Sequence, residues 1–69
     1  MQFSARNVLE GTVKEIKEGA INVEVVIELK GGAEVTSIIT KASCESLKLA
    51  KGKKAYAIMK ASSIIVAVD

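Results

Sequence analysis

Polar and apolar positions alternate from Val8 to Glu15, where Val8, Glu10, Thr12 and Lys14 interleave with Leu9, Gly11, Val13 and Glu15. That period of two is the mark of a strand with one face against a core. Lys17-Glu18-Gly19 predicts a turn. From Ala20 to Leu29 the density of β-branched residues rises, setting Ile21, Val23, Val25, Ile27 and Leu29 on one face and Asn22, Glu24, Val26 and Glu28 on the other. Lys30-Gly31-Gly32 predicts a hairpin turn with two residues free to take positive φ, and Val35 to Ile39 the returning strand.

The period breaks between Thr40 and Leu49, where Ala42, Leu47 and Leu49 no longer alternate. A short helix or helical turn fits this stretch, with Thr40 or Ser43 as N-cap ahead of Glu45. Lys51-Gly52-Lys53 predicts another turn, Ala55 to Met59 a strand, Lys60-Ala61-Ser62-Ser63 a polar junction, and Ile64 to Val68 a last apolar strand. Short strands, short turns, one helical insertion after the third strand and no proline predict an all-β fold. The expected architecture is a small barrel of the oligonucleotide/oligosaccharide-binding (OB) type, with one short helical turn and a single domain over residues 1–69.

Length changes the picture, because a domain of 69 residues buries too little surface to be comfortably stable alone. Cys44 is the sole cysteine and there is no histidine, so neither a disulfide framework nor an ordinary zinc site can supply the missing stability. Oligomerisation remains. The hydrophobic fraction of 49% comes almost wholly from Val, Ile, Ala and Leu, and some of that surface is expected to face another subunit. The start of the chain lacks the features of a signal peptide, and no apolar run approaches the roughly 20 residues of a membrane helix, so a cytoplasmic location and no membrane contact are expected. A net charge of +2, with Lys and Glu interspersed, gives no overall field for nucleic acid or lipid.

An enzyme is not expected. General acids and bases working near neutral pH are usually histidines, and the carboxylates here, Glu45 and Asp69 apart, belong to the strand and turn pattern as solvated charges. Cys44 has no histidine to activate it and reads as a small buried hydrophobe. Two junctions hold more chemistry: Ser4-Ala5-Arg6-Asn7 before the first strand and Lys60-Ala61-Ser62-Ser63 before the last. An Arg fork, a Lys charge, Ser hydroxyls and turning backbone N–H groups can surround a tetrahedral dianion, and neither run contains a competing carboxylate. By themselves the two runs read more readily as ordinary polar turns than as an anion site.

Ser4-Ala5-Arg6-Asn7, followed by a strand with Gly11, resembles the opening motif of the molbindins, the molybdate-binding Mop or TOBE domains. Val35-Thr36-Ser37-Ile38-Ile39-Thr40, Leu47 to Gly52 and Ala57 to Ser62 resemble three further segments of that family, in order and at its spacing. The resemblance implies an OB-like barrel whose intertwined dimers assemble by threes into a hexamer, with molybdate or tungstate bound between subunits. It also implies anion ligands: Ser4 and Arg6 from one subunit, Thr40, Ser43, Lys60 and Ser62 from another, and backbone N–H groups near Ala5 and Ala61. Asn7 belongs to the same motif, either as a ligand or as a brace for the Arg6 loop, and Thr40 and Ser43 are open to a second role as helix caps. No metal ion is coordinated directly and no cofactor is implied. The alternative that the fold supports is single-stranded nucleic-acid binding, but Phe3 and Tyr56 are the only aromatics and do not make a stacking platform.

Overall fold

The computed structural model describes residues 6–69. Strand β1 runs Asn7–Glu18, β2 Asn22–Leu29 and β3 Glu34–Thr40; helix α1 follows at Lys41–Ser46, then β4 at Lys54–Met59 and a 3-10 turn at Ala61–Ser63. The strands form one antiparallel sheet in the order β3-β2-β1-β4, curled into a half-barrel. This is the all-β, OB-like architecture with a single short helix that the pattern predicts.

The core forms on the concave face around Val13, Val23, Val25, Ile27 and Ala57, with Ile16 and Ile39 packed against it. The alternating residues of β2 therefore do what their spacing dictates. β1 departs from strict alternation. Its register against β2 shifts between Val13 and Glu15, so Lys14 is the extra residue of a bulge and the next inward position is Ile16. Freed from the ladder, Lys14 bonds to Glu34 and lies 3.8 Å from Glu28. Val26, on the polar face in the sequence pattern, is only 9% exposed. Its cross-strand neighbours are Glu15, just past the bulge, and Thr36.

Gly11 has a packing reason: a Cβ there would lie 2.6 Å from the Glu28 carbonyl oxygen and 2.7 Å from Ile27 Cγ2. β1 and β2 approach this closely only because the side chain is missing. The Lys30-Gly31-Gly32 turn forms as expected, with φ of 96° and 98° at the two glycines.

Two expectations need correction. β1 continues through Lys17 and Glu18, and the turn sits at Gly19–Ile21, closed by Gly19 N–H donating to the Asn22 carbonyl at 2.9 Å. Ile21 thus belongs to the turn and not to the inward face of β2, and it is 75% exposed. The second correction concerns Ile64 to Val68, which is no strand of the sheet. After β4 the 3-10 turn redirects the chain, and Ile65 and Val68 are left more than 90% exposed. A β-rich sequence becomes a strand only where a partner ladder is within reach, and in one copy of this chain the segment meets none.

Candidate functional site

The two donor-rich junctions predicted from sequence meet at one end of the sheet. β1 and β4 pair antiparallel with Asn7 opposite Met59, so Arg6 and Lys60 each stand one residue beyond the same cross-strand pair. The Asn7 side-chain amide donates to the Met59 carbonyl at 3.3 Å, which ties the two junctions together. Asn7 is half-buried; Arg6, Lys60, Ala61 and Ser62 are exposed. Lys60 precedes the 3-10 turn in extended backbone, φ −69° and ψ 136°, and the turn closes through Ser63 N–H to the Lys60 carbonyl at 2.9 Å. Ser4 and Ala5 lie outside the described residues.

Thr40 and Ser43 are elsewhere. Thr40 pairs with Asn22 at the far end of β2, next to the Glu18 end of β1. β1, 12 residues long, separates this end from Asn7 by about 36 Å of extended chain. Within one copy, the Arg6–Lys60 group and the Thr40–Ser43 group are not brought together. Thr40 is the N-cap of α1: its Oγ1 accepts from Ser43 N–H at 3.0 Å, and the same hydroxyl donates to Ser43 Oγ at 2.8 Å. The capping role left open between Thr40 and Ser43 thus falls to Thr40. Both hydroxyls are on the surface, so capping does not remove them from solvent.

Charge is distributed unevenly between the convex face and the junctions. On the sheet, Lys17 lies 3.9 Å from Glu24 and Lys54 lies 3.4 Å from Glu10, with the Lys54 ammonium 5.4 Å above the Tyr56 ring. A hydrogen bond to Glu34, reinforced by its charge, raises the Lys14 pKa above its ordinary value. Lys54 is raised by its contact with Tyr56 first and by Glu10 second. Among the described residues, neither Arg6 nor Lys60 has a carboxylate within 4 Å. These two cations keep their full capacity to meet an anion.

An open groove of about 400 Å³ is lined mainly by apolar residues that include Val25, Ile27, Ile39, Leu49, Tyr56 and Ile58. None of the described anion-ligand candidates lines it, and its chemistry does not suit a dianion. Among the described residues no three His, Cys, Asp or Glu side chains cluster as metal ligands, and no helix is long and apolar enough to cross a membrane. Cys44 packs against the core but is half-buried, less covered than the buried position expected of it. Sequence reasoning missed one contact near the candidates, that of Lys53 with the end of α1. Turn lysines carry no periodic signal that would have revealed it.

Comparison with known proteins identifies the family. The TOBE domain family model matches residues 4–66. A probable molybdenum-pterin-binding protein of Haemophilus influenzae is 44% identical over the full length of both chains. The solved structure of a molybdate-binding protein from Sporomusa ovata is 40% identical, with a TM-score of 0.92, and the alignment covers 99% of this chain and 100% of that one. The cytoplasmic molybdate-binding protein ModG, solved with molybdate bound, is 49% identical at a TM-score of 0.91; 94% of this chain spans 46% of ModG. The chain belongs to the TOBE domain family and, within it, to the Mop proteins, the molbindins.

Proposed function

We propose that this protein binds molybdate or tungstate reversibly in the cytoplasm, without chemistry, at sites between the subunits of a homo-oligomer. The observation that carries this reading is the pairing of Asn7 with Met59, which sets Arg6 beside Lys60–Ser62 in a neighbourhood without a carboxylate among the described residues. Arg6 and Lys60 balance the charge of the dianion. The hydroxyls of Ser4 and Ser62 and the N–H groups near Ala5 and Ala61 donate to its oxygens. Thr40 and Ser43 serve an anion at the other end of the sheet.

Exposure of every described candidate but Asn7 supports the interfacial placement. An anion held on a bare surface stays screened by water, and the second wall of a dehydrated site comes from another copy. The apolar residues of Ile64–Val68, exposed in one chain, are the natural surface for an intertwined dimer, and a hexamer of three such dimers is the assembly we expect. Storage or buffering of the oxyanion follows from reversible binding. A site made only of donors disfavours phosphate, which keeps a proton near neutral pH, and cavity size excludes the smaller sulfate. Tungstate, of nearly the same size and charge as molybdate, binds alongside it.

Single-stranded nucleic-acid binding is not favoured, since Tyr56, the one aromatic among the described residues, already has Lys54 over its ring. Isothermal titration with molybdate, with sulfate and phosphate as controls and the mass followed by light scattering, tests the proposal. Tight molybdate binding by an oligomer, with weak response to the controls, is expected. Absence of heat together with absence of thermal stabilisation overturns it.

A further inference from the structure

We propose that Lys53 is a positioning residue for anion binding: it braces α1 from the sheet and so fixes where the Thr40 and Ser43 hydroxyls stand. This rests on the reading of that pair as anion ligands. α1 has six residues, none of them buried, and no basic residue in its last turn. A helix so short is marginal by itself; the carbonyls of Ser43, Glu45 and Cys44 accept from the N–H groups of Leu47, Lys48 and Leu49, so its end is only as fixed as that exit stretch.

Lys53 ties down that exit stretch. Its Nζ donates to the Leu47 carbonyl at 2.8 Å and to the Lys48 carbonyl at 3.1 Å, which also puts a positive charge at the negative end of the helix. The chain leaves α1 through Lys48 in the left-handed region, φ 54°, a conformation that a lysine does not favour without such support.

The other end of the brace is fixed to the core. Val13 N–H donates to the Lys53 carbonyl and Gly52 N–H to the Val13 carbonyl, each at 2.8 Å, and Val13 is 1% exposed. Lys53 thus spans from the most buried part of β1 to the C-terminus of α1, while the Thr40 cap holds the N-terminus. With the brace gone, the exit stretch is no longer tied to the sheet, and α1 keeps its cap, its own backbone bonds, the Lys41 N–H bond to the Ile21 carbonyl and the packing of Cys44. The Ser43 hydroxyl then samples more positions than an oxyanion accepts.

Isothermal titration of the full-length protein with molybdate tests this, comparing Lys53→Met, Lys53→Arg, Lys51→Met and Ser43→Ala. Lys51→Met removes the same charge from the same turn and controls for the general field. Lys53→Met is expected to weaken molybdate by about tenfold, the scale on which supporting groups act. Lys51→Met is expected to change affinity by less than about twofold, and Lys53→Arg, which keeps donors for both carbonyls, to restore most of the loss. Thermal midpoints without ligand, set against Val35→Ala as a destabilised control with an intact brace, separate positioning from loss of fold. If Ser43→Ala weakens binding but Lys53→Met does no more than Lys51→Met or Val35→Ala, the positioning role is overturned and the ligand reading stands. If Ser43→Ala changes nothing, the ligand reading at that end fails and the role of Lys53 fails with it.

Discussion

Arg6 and Gly11 are only five residues apart, yet substitutions at the two are expected to do different things. Arg6 is exposed and has no carboxylate within 4 Å among the described residues, so Arg6→Ala leaves the ligand-free stability nearly unchanged. A ligand present at about 100 times its Kd stabilises a one-site protein by about 2.7 kcal/mol. Thermal shift with molybdate is expected to show that rise in the parent protein and less than half of it in Arg6→Ala. Gly11→Ala acts the other way: the new methyl meets backbone at 2.6 Å, and urea denaturation is expected to show a loss of about 1–3 kcal/mol with or without ligand. The raised lysines, Lys14 and Lys54, also have a signature. A lysine whose pKa is higher when folded contributes stability that is complete below its unfolded value of 10.5 and is lost as pH climbs through the folded one. Between pH 7 and 9 these two groups leave the thermal midpoint flat, and their contribution declines only above about 10.5.

At the scale of elements, α1 is the weakest part of the fold. Thr40→Val removes the cap and is expected to lower stability by about 1 kcal/mol in urea denaturation, with Thr40→Ser close to the parent. The strands and turns were legible because each rested on a local rule. Alternation set the inward faces of β2 and β3, and paired glycines set the hairpin between them. What escaped the sequence was decided by contacts distant along the chain. The bulge at Lys14 is a matter of register against β2, Val26 is buried on the face that alternation marks as polar, and the state of Ile64–Val68 depends on where a partner ladder lies. The candidate site divides in the same way. The donor residues were recognisable in the two polar runs and in the family resemblance, but the adjacency of Arg6 and Lys60, 54 positions apart, came from the pairing of β1 with β4. The distance of Thr40 and Ser43 from that group came from topology alone.

At the scale of the molecule, five buried aliphatic residues among those described form one small core cluster, and ten large hydrophobic residues of the same set stay exposed. That ratio suits a subunit better than an independent monomer. Removal of Ile64–Asp69 is expected to bring the mass in light scattering down towards that of one shortened chain, below the 7.3 kDa of the intact one, and to abolish molybdate-induced stabilisation.

The exposed terminal segment also has a kinetic consequence. If Ile64–Val68 acquires its contacts only on another copy, native structure is reached through an encounter between chains. The β1-β2-β3 hairpins are local and close at a rate independent of concentration, whereas the step that covers Ile65 and Val68 is second order. Halving the protein concentration in a refolding experiment then doubles the half-time of the late phase and leaves the early one untouched. A chain newly made at low abundance stays sticky for longest, so the timing of its synthesis matters as much as its final stability.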